Sequence, residues 1–159
     1  MSVQLSQELI SIINDHRSVK ALATVDDSGV PHVVVDHSIY VAENGNIHYL
    51  EHLESSRSNH NLVGSIWFDR KVSIGVQGGD DKKFQIKAFP VKVHITGPLF
   101  QKHYVELRQK LGDVDLTGVW EFQPIEVTDE SLKALQQDEE ANRPIFRHLD
   151  RFAKIQSNN

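Results

Sequence analysis

The stretch that decides the fold class is Phe84-Gln85-Ile86-Lys87-Ala88-Phe89-Pro90-Val91-Lys92-Val93-His94-Ile95, the longest β pattern in the chain. Its apolar residues occupy even positions up to Ala88 and odd positions from Phe89 onward. Such a change of phase turns the apolar face of a strand around unless one residue is bulged out of the ladder. Pro90 has no N–H to donate, so it fits a bulge or a sheet corner. A strand that bends in its middle predicts a barrel or a strongly coiled sheet.

Shorter β runs lie on both sides of this strand. Residues 21–25 and 30–40 are separated by the turn cluster Asp26-Asp27-Ser28-Gly29, which predicts a hairpin. A second turn at residues 43–46 contains an Asn-Gly pair and leads into the run 47–51. Two more strands are predicted at residues 71–76 and 119–127, so the middle of the chain is mainly antiparallel β structure.

Helices are predicted at both ends of the chain and at two connections. The spacing of Leu5, Leu9, Ile12 and Ile13 is that of an amphipathic helix. Hydroxyl and amide residues from Ser55 onward predict a short helix, and a helix over residues 100–111 precedes a glycine stop. The short helix is expected to end at Gly64. A further helix is expected to be capped by Thr128-Asp129 and to run through Leu135, with a break in its pattern over Gln136–Arg143. A last helix is expected to begin at Pro144.

The composition of the chain excludes several classes of protein function. The chain has 159 residues, no cysteine and a net charge of −5 with histidines neutral. This length predicts one compact domain, and the charge disfavours a surface that tracks nucleic-acid phosphates. Without cysteine there is no thiolate nucleophile and no cysteine-held zinc or iron–sulfur cluster. No apolar run reaches the length needed to span a bilayer, so we expect a cytoplasmic protein with no nucleic-acid or membrane partner.

The serine-rich segment is the sharpest chemical feature. Ser55, Ser56, Arg57 and Ser58 stand at the start of a predicted helix. A phosphate monoester is bound well by free N–H groups at a helix N-terminus together with hydroxyls and an arginine. Serines also cap ordinary helices, and an arginine there is often only a solvated charge. On local sequence alone the two interpretations stay open.

The nine histidines predict no metal site, because their spacings match no ligand motif and isolated side chains are the simpler interpretation. Nucleotide-binding glycine loops and the nucleophile elbow of hydrolases are also missing from the sequence. The residues alone therefore indicate a β-barrel with helices, and a phosphate-bearing ligand is one of the two interpretations of its serine-rich segment.

Five short motifs occur in an order that resembles the FMN-binding split barrel of the pyridoxamine 5′-phosphate oxidase superfamily, over about residues 19 to 127. The motifs are Ala21-Leu22-Ala23-Thr24-Val25, Gly29-Val30-Pro31-His32-Val33, Ser56-Arg57-Ser58-Asn59-His60-Asn61-Leu62, Asp69-Arg70-Lys71-Val72-Ser73 and Phe84-Gln85-Ile86-Lys87. The resemblance implies a mainly β split barrel with flanking helices and antiparallel, Greek-key-like strands. It also implies an FMN-binding domain over residues 1–128, followed by a C-terminal helical extension, 129–159, of the same domain.

The resemblance implies a set of cofactor-binding residues. Arg57 with Ser56 and Ser58 would hold the FMN phosphate, Asn61 would support the loop, and Lys87 would supply a second positive charge. The isoalloxazine ring would lie against Tyr49, Leu50 and Glu51, with Ala23 and Thr24 below it. The resemblance also implies a homodimer with FMN between the protomers, and Tyr40 and Trp120 are the candidates for ring contacts from the partner.

The function implied by the resemblance is that of an FMN-dependent oxidoreductase in which the flavin transfers hydride or electrons. Its substrate or electron donor is an unidentified small molecule. The segment that recognises pyridoxal phosphate in true pyridoxamine phosphate oxidases is not recognisable, so we do not expect that activity. The alternatives are a haem-binding split barrel with a histidine ligand and a non-catalytic flavin carrier.

Overall fold

The computed structural model describes residues 1–143, which form a seven-stranded sheet with helices at its ends and faces. Every strand pair is antiparallel, and the order across the sheet is β2-β1-β5-β6-β7-β4-β3. The predicted fold class, a mainly β split barrel, is confirmed. The elements are α1 (Gln7–Asn14), β1 (Val19–Val25), β2 (Pro31–Val35), β3 (Tyr40–Val41), β4 (Ile47–Glu51), α2 (Arg57–Trp67), β5 (Val72–Gln77), β6 (Lys83–His94), α3 (Pro98–Leu111), β7 (Gly118–Asp129) and α4 (Leu132–Asn142).

The bend predicted in the longest strand is present in β6. Its pairing with β7 shifts register between Lys87 and Ala88 and again between Pro90 and Lys92. Ala88 lies in the main core, whereas Val93 packs against the same core from an odd position, so the face of the strand changes between them. The apolar pattern predicts that the buried face of the strand changes at Phe89. The second register shift places this change later, between Pro90 and Lys92, and Val91 is exposed.

Both faces of the sheet carry a cluster of buried apolar side chains. The main core contains residues from α1, α2 and most strands, including Leu62, Trp120 and Phe122, which are almost completely buried. On the opposite face of β4 and β7, Leu50 and Val119 form a second cluster against α3. Because side chains alternate along a strand, β4 contributes to both clusters, and all five of its residues are buried.

Three element boundaries differ from the sequence prediction. The run 30–40 forms two strands at opposite edges of the sheet, because the Asp36 carboxylate accepts a hydrogen bond from the Ser38 N–H and turns the chain (2.6 Å). Gly64 does not stop α2, which continues to Trp67 and is followed by Asp69 with a φ of 55°. The polar run from Gln136 does not break α4.

The helix predicted from Pro144 lies outside the described residues. Within residues 1–143, no helix is long and apolar enough to cross a membrane.

A buried lysine attaches α1 to the sheet. Lys20 on β1 donates hydrogen bonds to the carbonyls of Ile13 (3.0 Å) and Asp15 (3.4 Å) at the C-terminal end of the helix. Its ammonium group therefore satisfies carbonyls that have no partner within the helix and lies at the negative end of the helix dipole. Burial lowers the pKa of Lys20, against the opposing effect of nearby aspartates.

We expect Lys20→Met to lower the free energy of unfolding by about 1–3 kcal/mol, because methionine fills the space but donates no hydrogen bond. Urea denaturation measures the change. Lys110→Met, at the exposed end of α3, is the matched control and should change stability by less than about 0.5 kcal/mol. Equal stability of the two variants would contradict the role assigned to Lys20.

Candidate functional site

The start of α2 forms an open, polar pocket of about 510 Å³. Ser56 is the N-cap residue, and its hydroxyl oxygen accepts a hydrogen bond from the Asn59 N–H (2.9 Å). Arg57 follows as the first helical residue, and its side chain is exposed. The first N–H groups of a helix have no acceptor within it, so this end attracts anions. The pocket is lined by Glu54, Ser55, Ser56, Arg57 and His60.

A buried carboxylate lies behind this helix start. Glu51 is 3% exposed and accepts hydrogen bonds from the Ser56 hydroxyl (2.7 Å), the Tyr49 hydroxyl (3.1 Å) and the Leu53 N–H (3.1 Å). The Ser56 hydroxyl proton therefore points inward, away from the pocket. Burial and the charge of Glu51 raise the pKa of Tyr49. The Glu51 carboxylate lowers the attraction of the pocket for a second anion.

Buried hydrogen bonds hold the first two turns of α2 on the sheet. The Asn61 amide donates to the Thr24 hydroxyl on β1 (3.0 Å), and the Trp120 indole on β7 donates to the Asn59 side chain (3.0 Å). Ser58 is also buried. Thr24, Ser58 and Asn61 thus face the interior of the protomer, where they position the helix rather than reach into the pocket.

Several residues predicted to contact the flavin ring are buried within the protomer. Trp120 is 1% exposed and lies in the core of its own protomer. Tyr49, Leu50 and Glu51 are all buried, and none of them lines the pocket at the start of α2. The cause is the position of β4, which is covered by the core on one face and by α3 on the other.

Two predicted residues lie on the outer face of the sheet. Ala23 is half-buried there, between Val33 of β2 and Ser73 of β5 in the strand register. The Lys87 ammonium donates to the Glu126 carboxylate across the β6–β7 ladder (2.7 Å). Its charge is thus already paired, which weakens its predicted role as a second cation for phosphate.

Tyr40 is half-buried in a chain of polar side chains under α3. Its hydroxyl is 2.9 Å from Nδ1 of His48 and 2.6 Å from Nε2 of His103. Burial raises the pKa of Tyr40 to about 12 and lowers the pKa values of His48 and His103. His94 lies 6.0 Å from His48 between ring centroids, so the prediction of isolated histidines is wrong for this group.

The sequence prediction did not bring these histidines together, because they come from strands that are distant in the chain. A signal was present, since His48 and Glu121 each interrupt an apolar strand pattern, between Ile47 and Tyr49 and between Trp120 and Phe122. An ionisable residue at such a position requires a buried polar partner.

Comparison with known proteins identifies the fold. No family model matches the sequence, and no curated protein matches it. Among solved structures, HupZ from Group A Streptococcus has a TM-score of 0.66 at 15% identity and covers 81% of this chain and 96% of its own. An FMN-binding protein from Syntrophomonas wolfei has a TM-score of 0.63 at 16% identity, covering 77% of this chain and 84% of its own.

A pyridoxamine 5′-phosphate oxidase-like protein from Lactobacillus delbrueckii matches with a TM-score of 0.58 at 20% identity, covering 79% of this chain and 93% of its own. A heme storage protein from Vibrio cholerae has the same fold. The chain thus shares the split-barrel fold of these solved structures, which is the fold that the resemblance of its motifs implies.

Proposed function

We propose that this chain is a homodimeric flavoprotein that binds FMN at the start of α2 and acts as an oxidoreductase. The observation that carries the proposal is the exposed Arg57 on the first turn of a capped helix, at the edge of an open pocket. The fold, which is also that of an FMN-binding protein, supports it. When bound, the flavin supplies the hydride or electron transfer, and the chain supplies binding and orientation.

The donors of the pocket fit a phosphate group, although with one opposing charge. Arg57 offers a fork of N–H donors, Ser55 offers an exposed hydroxyl, and the first N–H groups of α2 point the same way. Glu51 lies behind them and repels an anion. The balance favours a phosphate that is held mainly by Arg57, so the affinity for FMN depends strongly on this side chain.

The outer face of β1 and β2 supports the proposed homodimer. Val33 and Val35 on β2 are 61% and 60% exposed, and Val19 on β1 is 46% exposed. Ala21 and Ala23 stand opposite Val35 and Val33 on the same face, so these residues form an apolar surface. We assign this face to a second copy of the chain, whose residues would complete the ring site that the buried strand β4 cannot provide.

Haem is the second candidate ligand. The observation that favours it is His60, an exposed imidazole in the same pocket, together with the fold shared with a heme storage protein. A hemin titration distinguishes the two ligands. A Soret band that is lost in His60→Ala, with no binding of FMN, would replace the flavin by haem.

The activity is tested with protein loaded with FMN under anaerobic conditions. Loss of oxidised-flavin absorbance after addition of NADH or NADPH, and its return with an electron acceptor, is the expected result. A flavin that neither donor reduces would favour the flavin carrier instead.

Arg57→Ala is expected to weaken FMN binding about 10- to 100-fold, because a charge-assisted hydrogen bond contributes roughly 1.5–3 kcal/mol. Riboflavin, which lacks the phosphate, should bind the variant and the wild type equally. Fluorescence titration measures both ligands. Arg17→Ala removes an exposed arginine that pairs with Asp15 far along the chain from the pocket, and it is the control. If both variants bind FMN as the wild type does, the phosphate site lies elsewhere.

Glu51→Gln is expected to raise the affinity for FMN relative to that for riboflavin several-fold. The amide oxygen keeps an acceptor for the Ser56 hydroxyl while the negative charge is lost. Glu43→Gln, an exposed change in the turn between β3 and β4, is the control. An unchanged ratio of the two affinities in Glu51→Gln would show that the carboxylate does not act on the phosphate.

Val33→Asp is expected to convert the dimer to a monomer, because it places a charge in the apolar face proposed as the interface. Light scattering after size-exclusion chromatography measures the mass. Val30→Asp, at an equally exposed valine in the β1–β2 turn, should remain dimeric. A dimeric Val33→Asp would exclude this face as the interface.

A further inference from the structure

Three side chains from neighbouring strands converge under α3. His48 on β4 stands directly opposite Glu121 on β7, and His94 lies at the end of β6. One oxygen of the Glu121 carboxylate, Oε2, is 2.8 Å from Nε2 of His94 and 3.9 Å from Nε2 of His48. The ligand atoms of all three residues lie within 4.8 Å of one another. Two imidazoles and a carboxylate thus face one common point.

The second polar atoms of Glu121 and His48 are already held by other side chains. Oε1 of Glu121 accepts hydrogen bonds from the side-chain amides of Asn44 (3.0 Å) and Asn46 (2.6 Å). Nδ1 of His48 is bonded to the Tyr40 hydroxyl, which in turn bonds His103. Metal-binding histidines and carboxylates are commonly oriented by such contacts on their second polar atom. The inner atoms, Nε2 of both histidines and Oε2 of Glu121, thus contact only one another or nothing among the described residues.

His48 provides an independent observation. Its side chain is buried, the residue being 4% exposed, and among residues 1–143 its Nε2 atom has no hydrogen-bond partner. The distance of 3.9 Å to Glu121 is too long for a hydrogen bond. Buried polar atoms without a partner are rare in native proteins and call for an explanation such as an ion. This nitrogen is aimed at the carboxylate oxygen that His94 also approaches.

We propose that His48, His94 and Glu121 bind a divalent transition-metal ion of the Zn²⁺ class through Nε2, Nε2 and Oε2. Imidazole and carboxylate together suit Zn²⁺, Co²⁺ or Fe²⁺, whereas Mg²⁺ and Ca²⁺ prefer oxygen ligands alone. Bonds of about 2.0–2.2 Å place tetrahedral ligands about 3.4 Å apart, between the two distances observed. Rotation of side chains therefore closes the site without a change in the strands.

Binding of the metal ion replaces the hydrogen bond between His94 and Glu121 with a bond from each residue to the ion. His94 gives up its hydrogen bond to Glu121, and any proton on its Nε2 passes to solvent as the nitrogen coordinates the ion. The side chains of His94 and Glu121 remain partly exposed, so a fourth position opens to water or to a small anionic ligand. The site lies on the α3 face of β4 and does not depend on the flavin proposal.

The test uses the full chain without a histidine tag, stripped with a chelator and dialysed. Titration with Co²⁺ should give visible d–d absorption that saturates at one ion per chain, and Zn²⁺ should displace it. His94→Gln removes a ligand whose side chain is 19% exposed, and it is expected to weaken Zn²⁺ binding at least about 100-fold. His16→Gln, at an exposed histidine, is the matched control and should bind as the wild type does.

A second variant keeps the test decisive. Tyr40→Phe leaves all three ligands in place but removes the contact to Nδ1 of His48, and it should weaken Zn²⁺ binding about 10-fold or more. Circular dichroism establishes that each variant is folded. The proposal is overturned if the wild type takes up no Co²⁺ at micromolar concentration, or if His94→Gln binds Zn²⁺ as tightly as His16→Gln. Weak uptake by all variants alike would identify surface histidines as the cause.

Discussion

The two register shifts in the β6–β7 ladder are the constraint on which the rest of the molecule depends. A regular pairing of two such long strands would keep one apolar face in one direction along their whole length. The shifts around Ala88 and Pro90 instead turn the strand, so that one sheet encloses the main core and still presents a second buried face to α3. The position of β4 between these two clusters follows from that geometry.

Strand β4 therefore has two separate chemical roles in a run of five residues. Tyr49 and Glu51 face the start of α2, whereas His48 and Leu50 face α3. The side-chain alternation of a strand keeps the two polar groups on opposite sides of the backbone. A slip of one residue in the pairing of β4 with β7 would exchange the two faces, so the same hydrogen-bond ladder fixes the geometry of both places.

Local features of the sequence predicted much of the fold, and long-range features account for what they missed. The phase change near Pro90, the Asn-Gly turn and the Ser56 cap each act within a few residues, and the structure contains all three. The split of residues 30–40 into two strands is a local exception, since it involves a hydrogen bond that the Asp36 carboxylate accepts from the Ser38 N–H, and no alternation pattern encodes that bond.

The same distinction applies to the candidate site, where the contacts within one helix end could be predicted and the contacts between distant strands could not. Arg57 and Ser56 belong to one helix end, so their neighbourhood could be inferred from spacing alone. The burial of Trp120 and Glu51 depends on which strands flank β4, and the meeting of His48 with His94 depends on the order β6-β7-β4. Pairings between distant strands are specified by the packing of the whole sheet, which a single sequence does not reveal.

The sheet is open, and its two edge strands differ in what they leave unprotected. β3 has only two residues, whereas β2 has five, and β1 is its only strand partner among the described residues. An edge of this kind is a template on which another extended chain can add by backbone hydrogen bonds. Pro31, at the first position of β2, removes one donor from that edge and limits how far an added strand can extend. This feature makes β2 the place where misassembly at high protein concentration would begin.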